Sequence, residues 1–369
     1  MIFDHPEAYR RAFDEGLIRL LDSDSPGAFI LVLANAGFDP AIWERLHARL
    51  RERLELWRRR YRACLAEGGE PPGAPDDVAV MLRLLVLGFD HLATTEFRQV
   101  GDWEAQFNPL RAFRPKRMAG QRVNALHKPF DADGFHFDKP FLRDETFWSG
   151  ALGGREVRLL YNKFPFVEQH GLLVPEPGAR HPQWLRAGDH HWLFSLCAGI
   201  GAGLPGFCVG YNAHGAHASV NHLHFQTCVR ERSLPVCAAH WRHNGGEREY
   251  PGECHRFDEA DSAWRFIDGL HHLGMAYNLL YVPGACYCLP RRMQGSRPDP
   301  AWSSGFAWYE TCGGFTTFRR ADFLALDEAS IEQALRELRS GMAWTRSGVR
   351  NLGPDAMRVS GPSAPPSGR

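Results

Sequence analysis

Apolar and polar positions change rhythm along this 369-residue chain. Over the first 90 or so residues, apolar side chains recur at three and four, the helical period. The longest such run, AIWERLHARLRERLELWRRRYRACLAE, is opened by Asp39 and Pro40, an N-cap followed by a proline at the first helical position. A Gly/Pro-rich break at 68–75 separates it from a helix predicted over 76–92. The Arg/Glu pairs on the long helix read as a solvated face.

From about Thr94 the pattern shortens to alternating segments rich in aromatics. REVRLLYNKF and HGLLVPE predict two strands joined by a turn at 165–169, and 182–200 predicts a helix. Strands are expected at 206–211 and 222–229. A looser second round follows: helix 261–273, strands near 276–282 and 286–289, a Gly-broken hairpin at 306–318, and helix 322–339. These elements predict an α+β fold of two strand-rich halves, an antiparallel sheet with packed helices, plus an N-terminal helical region. The expected units are a helical accessory region at 1–92, a main domain at 93–345 and a disordered tail at 346–369, ending SGPSAPPSGR.

Composition narrows the function classes. Forty-three basic side chains balance 43 acidic ones, so no excess positive charge exists to drive nucleic-acid binding. With 44% hydrophobic residues the chain can bury a core, and it is not an acidic disordered polymer. No apolar run approaches a membrane span and the start lacks a secretory h-region, so a cytoplasmic protein is expected. The nine cysteines are scattered and read as free thiols. Only four lysines occur, Lys116, Lys128, Lys139 and Lys163, in a chain that otherwise uses arginine.

The chemistry concentrates in GYNAHGAHASVNHLHFQ, residues 210–226. A Gly-rich turn rises into a predicted strand on which His222, His224 and Gln226 alternate with Leu223 and Phe225, placing the three polar side chains on one face. Gly215, Ala216, Ala218 and Ser219 would shape a cup where a phosphate meets backbone N–H groups. Neutral imidazole is a competent nucleophile at phosphorus, and an amide can donate to the developing charge without acting as a base. A lone strand histidine is read as core; this register of three is read as a site. Zinc ligation by His214, His217, His222 and His224, or by Cys237, His240 and His243 with Cys228 or Cys254, lacks a recognised spacing. No metal is therefore assigned. His190, His191, His271 and His272 read as helix-surface residues.

The HLHFQ core, with GYNAHGAHASVN before it, resembles the histidine-triad superfamily in its galactose-1-phosphate uridylyltransferase-like branch, where glutamine replaces the last triad histidine. Within that branch it is most similar to the GDP-hexose phosphorylases, those of GDP-L-galactose and GDP-D-glucose. EAQFNPLRAFRP, KPFDADGFHFDK, HGLLVPE, YNLLYVPGACYCLPR and the Glu310-x-x-Gly-Gly segment extend the likeness over about 100–340. His214 and His217 depart from it, standing where that family more often has apolar or aromatic residues. The chain also has no CxxC zinc half-site.

The resemblance implies a histidine-triad-like fold and an NDP-hexose phosphorylase. His224 would attack the α-phosphorus to form a nucleotidyl-histidine, Gln226 would hold a non-bridging oxygen, and His222 would orient the strand. Ser219 and Asn212 would contact phosphate or ribose, and Asn162 the ribose, with Lys163 beside it. Arg111 and Arg114 would bind the sugar phosphate, and Lys116 and Arg117 the incoming phosphate. The reaction would require no cofactor; a divalent ion is compatible with it and a structural zinc is not expected. Expected partners are a nucleotide sugar and phosphate, with no nucleic acid or membrane, and a homodimer is the assembly suggested by the relatives. Alternatives are an Ap4A-type dinucleoside polyphosphate phosphorylase, a hexose-1-phosphate nucleotidyl exchanger, or a non-catalytic nucleotide-binding regulator.

Overall fold

A computed structural model describes residues 1–115, 123–345 and 348–350. The chain opens with four helices: α1 (Pro6–Leu21), α2 (Pro26–Phe38), α3 (Pro40–Ala66) and α4 (Pro75–Leu87). Asp39 caps α3 as its sequence predicts, accepting from the N–H groups of Ala41 and Ile42. Helix α4 stops earlier than expected because Gly88, at φ 77°, turns the chain into a short 3₁₀ segment, Phe89–His91. Every residue of α2 is buried, so this apolar helix is the axis on which the other three pack.

Strands β1 (Glu96–Val100) and β2 (Trp103–Phe107) follow, then β3 (Thr146–Leu152), β4 (Arg155–Tyr161) and β5 (Gly171–Pro175). Helix α5 (Ala187–Gly201) leads to β6 (Phe207–Asn212) and β7 (Phe225–Val229). The second half contributes β8 (His255–Phe257), α6 (Ala260–His272), β9 (Ala276–Val282), β10 (Ala285–Arg291), α7 (Trp308–Thr311), β11 (Gly314–Thr317), α8 (Arg320–Ala325) and α9 (Glu328–Leu338).

The α+β class is as expected, but the two halves do not make two sheets. They merge through the antiparallel β6–β9 pair into one eight-stranded sheet of order β3-β4-β5-β7-β6-β9-β10-β8, antiparallel at every joint. A separate three-stranded sheet, β1-β2-β11, covers part of it. The hairpin expected at 306–318 is instead α7 followed by β11, which pairs in parallel with β2. Glu310 caps the N-terminus of α7 by accepting from the Ala307 N–H, and Gly313, at φ 98°, ends it. The helix expected over 322–339 breaks at Leu326, and Asp327 caps the second piece, α9, through the Ser330 N–H.

Residues opposite one another in an antiparallel ladder share a face. Gln226 lies opposite Gly210, which lies opposite Leu280; Asn212 lies opposite Asn278; Arg291 continues the series opposite Ala276. That face meets Trp308, Tyr309 and the small sheet in one apolar cluster. The other face carries Val209, Tyr211, Phe225 and Leu279, in a larger cluster shared with the N-terminal helices. Helix α1 approaches β4 closely: a Cβ on Gly16 would lie 2.1 Å from the Tyr161 hydroxyl oxygen. The Tyr161 hydroxyl in turn donates to the Phe13 carbonyl.

Two expectations about side chains are corrected. Cys208 and Cys228, directly opposite on β6 and β7, form a disulfide rather than free thiols. The other seven cysteines are free, as expected. His190 is fully buried in α5, accepting from the Tyr281 hydroxyl and donating to the Ala260 carbonyl, and His271 is half-buried, stacked on Trp184. Both sit where neighbouring elements pack against their helix, which removes His190 from solvent and partly covers His271. Among the described residues no helix is long and apolar enough to cross a membrane. The expected tail at 346–369 lies outside the described residues except for 348–350.

Candidate active site

The extended segment before β7 carries the histidines. Regular pairing begins only at Phe225, three residues later than predicted, because the Gln183 side chain takes the backbone of His224 on both sides. Its Oε1 accepts the His224 N–H at 2.9 Å and its Nε2 donates to the His224 carbonyl at 3.2 Å. The Leu223 N–H donates to the His181 carbonyl. The segment is thus fixed without being a sheet strand.

His224 is 3% exposed. Its Nδ1 lies 2.8 Å from the His222 carbonyl, which can only accept, so Nδ1 carries the proton and Nε2 keeps a lone pair. Burial pushes its pKa down to about 4, with the His222 carbonyl opposing, so the ring is neutral near pH 7. His222 is complementary. Its Nδ1 accepts the Phe137 N–H at 3.0 Å, placing the proton on Nε2, which has no partner among the described residues. Burial, then the neighbouring His224, pushes its pKa to about 3. The Phe137 ring centre lies 4.9 Å from that of His224.

Gln226 is held at its oxygen. The Trp308 indole N–H donates to Oε1 at 2.9 Å, and His170 Nε2 lies 3.1 Å from the same atom. His170 Nδ1 accepts the Phe166 N–H, so Nε2 carries the proton and donates to Gln226. Two donors on one amide oxygen fix its orientation and direct the NH₂ group away from them. Burial, then Arg111, pushes the His170 pKa well below the ordinary histidine value.

Asn162 lies beside this pair: its Oδ1 accepts the Phe164 N–H and its amide nitrogen is 3.2 Å from His170 Nε2. Arg111 lies over the Phe166 ring, 4.4 Å from its centre, and donates to the Phe164 carbonyl. Burial, then Arg114, lowers its pKa to about 9. Arg114 is exposed and acts electrostatically on Arg111, His170 and His217. Of the sequence-predicted residues, Asn162 lies beside the His170–Gln226 pair, and Arg111 and Arg114 act electrostatically on His170.

Other predicted contacts have different partners. Asn212 is buried, and its Oδ1 accepts the Trp308 backbone N–H at 2.8 Å and the Asn278 amide at 2.7 Å, joining the two halves of the chain. Lys163 is ion-paired with Asp77 of α4 at 2.6 Å. Ser219 is half-buried in the 213–224 loop. In that loop the Ala216 N–H donates to the Ala213 carbonyl and the His217 N–H to Gln294 Oε1, so a phosphate cradle would draw on Ala218 onward. Lys116 and Arg117 lie outside the described residues.

Sequence reasoning missed His170, Gln183 and Trp308. His170 had a signal, a histidine leading the HGLLVP strand two strands from nowhere obvious in sequence but adjacent in the sheet through the β5–β7 pair. The others act across long separations that no local pattern records. Among the described residues no group of three or more His, Cys, Asp or Glu side chains could hold a metal ion.

The fold and site define an α+β protein with a buried neutral histidine, an oriented glutamine and flanking arginines on one face of a merged antiparallel sheet. Residues 101–228, which contain most of this set, match the family described as GDPGP1-like, N-terminal domain. The chain is similar to GDP-D-glucose phosphorylase 1 of Homo sapiens, 36% identical over 143 residues (36% of this chain, 35% of that protein). It is also similar to GDP-L-galactose phosphorylase 2 of Arabidopsis thaliana, 30% identical over 151 residues (36% of this chain, 34% of that protein). The alignments span about a third of the length of these curated relatives. A solved structure, yeast Ap4A phosphorylase Apa2 in complex with AMP, covers 67% of this chain and 88% of its own at 18% identity and a TM-score of 0.46.

Proposed function

We propose that the protein is a nucleotidyltransferase that cleaves a GDP-hexose with inorganic phosphate through a covalent nucleotidyl-His224. The observation that carries this reading is the His224 ring itself: neutral, its Nδ1–H anchored on the His222 carbonyl, its Nε2 lone pair uncommitted among the described residues, two residues from an oriented amide. The partial similarity to GDP-hexose phosphorylases supports the choice of substrate class.

Nε2 attacks the α-phosphorus, the bond from that phosphorus to the bridging oxygen breaks, and hexose 1-phosphate leaves with the electron pair. The His222 carbonyl stabilises the positive charge that develops on the imidazole. The Gln226 NH₂ group donates to a non-bridging oxygen as its charge rises, and because Trp308 and His170 already hold the amide, no reorganisation is needed at that moment. An oxygen of inorganic phosphate then attacks the same phosphorus, the N–P bond breaks, and GDP leaves with neutral His224 restored.

The test is product analysis on a panel of NDP-hexoses and Ap4A, each with and without phosphate, alongside intact-mass detection of the adduct. Phosphate-dependent release of GDP from a GDP-hexose supports the reading. ADP and ATP from Ap4A would replace it with the dinucleotide reading, and no turnover with no adduct would sink the enzyme reading altogether.

A further inference from the structure

The second half of the chain brings a buried cation to the site. Arg291, the last residue of β10, lies on the same sheet face as Gln226 and Asn212, at the end of the sheet where the 213–224 loop leaves β6. It is 3% exposed. Its guanidinium donates to main-chain carbonyls, Nη1 to Phe306 and Nε to Arg292 at 3.2 Å, and the carboxylates of Asp299 and Glu310 act on it electrostatically. A guanidinium taken out of water without a hydrogen-bonded carboxylate is costly, and a bound oxyanion would offset that cost.

His217 faces the same place. It lines one narrow cavity with Arg291, Arg297 and Asp299, between the segment after β10 and helix α9. Its φ of 67° is unusual for a residue other than glycine, and the Gln294 side chain holds its N–H in that conformation. Arg114 acts electrostatically on both His217 and His170, so the cavity and the Gln226 environment form one electrostatic neighbourhood.

The space inside the cavity, about 30 Å³, admits about two water-sized spheres. A hexose ring does not fit. The carboxylates of Asp299 and Glu337 also line it; burial raises the Asp299 pKa and Arg291 opposes that shift.

We propose that Arg291 and His217 form an oxyanion subsite for the phosphate partner of the reaction, either the β-phosphoryl of the sugar nucleotide or the inorganic phosphate that replaces it. The proposal rests on the nucleotidyl-transfer reading for its place in the reaction, though not for its binding chemistry. Arg291 supplies the bidentate charge, and neutral His217 one N–H donor.

The full-length protein is titrated with inorganic phosphate by calorimetry, wild type against Arg291→Gln and His217→Gly. Glycine adopts the required φ freely, so His217→Gly removes the imidazole without straining the fold. Half-saturating phosphate is expected to rise at least about tenfold in each variant. The same shift is expected in phosphate-dependent decay of the His224 adduct. Slower adduct formation from GDP-glucose without phosphate would show that the β-phosphoryl also uses the subsite. Unchanged phosphate half-saturation in both variants, at unchanged unfolding temperature, would overturn the subsite. A wild-type protein that forms no adduct yet binds phosphate in an Arg291-dependent way would retain the subsite and discard the nucleotidyl-transfer reading.

Discussion

The Trp308 indole N–H donates to Oε1 of Gln226 across 82 positions of sequence, at 2.9 Å. Trp308 also gives its backbone N–H to Asn212, so one residue of the second half fixes both the oriented amide and the turn that precedes the histidine loop. A Cβ on Gly210 would lie 2.1 Å from the indole, which explains the glycine opposite Gln226 in the β6–β7 pair. The candidate histidine segment of the first half is therefore shaped by a residue outside the matched region.

Trp308→Phe keeps the ring and the backbone bond but deletes the indole donor. One of the two constraints on the Gln226 amide is lost, and about 1–2 kcal/mol of transition-state orientation with it. Turnover of GDP-hexose should fall about tenfold with KM nearly unchanged, as steady-state kinetics would show. A variant with wild-type kcat would mean that His170 alone orients the amide.

Much of this was legible in the sequence, and the parts that were not share a physical cause. The Asp39–Pro40 helix start depends on neighbours a few residues away and reads correctly; of the His222, His224, Gln226 register only Gln226 falls in a strand. The start of β7 was not legible, because Gln183, 41 residues earlier, removes His224 from the sheet ladder. Likewise β11 has the texture of a hairpin arm and pairs instead with β2, more than 200 residues distant. His190 looked like a surface residue because α5 has no visible covering layer in sequence; α6 and β9 supply it in space. The resemblance led to Asn162, which lies beside His170, to Arg111 and Arg114, which act electrostatically on His170, and to Lys163, which pairs with Asp77.

Buried neutral histidines make the fold sensitive to acid. His190, His224 and His271 are pushed down to about 4 and His222 to about 3, each chiefly by burial. Their unfolded value is about 6.5, so between there and about pH 4 the unfolded chain binds more protons than the native one. Their contribution to stability is complete above pH 6.5 and is lost as pH falls toward the folded values. Denaturation midpoints should drop steadily from about pH 6.5 downward. In His190→Gln, which can still accept from Tyr281 and donate to Ala260, that slope should be shallower by up to about 1.4 kcal/mol per pH unit. An unchanged slope would mean His190 does not titrate on unfolding.

The contact of α1 with β4 leaves no room for a side chain at Gly16. Gly16→Ala places a methyl against the Tyr161 hydroxyl and displaces it from the Phe13 carbonyl. Overpacking of this kind costs about 1–3 kcal/mol, outweighing the roughly 1 kcal/mol that alanine gains in a helix. The melting temperature should fall. Restoration by Tyr161→Phe in the double variant, which removes the clashing oxygen, would assign the loss to that contact.

Gln226 separates structure from chemistry. Gln226→Glu keeps an acceptor for both the Trp308 indole and His170, and an ionised carboxylate accepts more strongly than an amide. The fold should therefore hold its melting temperature. The NH₂ group is gone, however, and a negative charge stands where the phosphoryl oxygen gains its own. Adduct formation should slow by at least about a hundredfold, the scale of removing one oxyanion donor and adding repulsion. Gln226→Met gives the reverse control: both donors lose their acceptor, the melting temperature falls, and no charge is added. If Gln226→Glu is stable and forms the adduct at the wild-type rate, the amide has no part in stabilising the transition state and its oriented geometry serves packing alone.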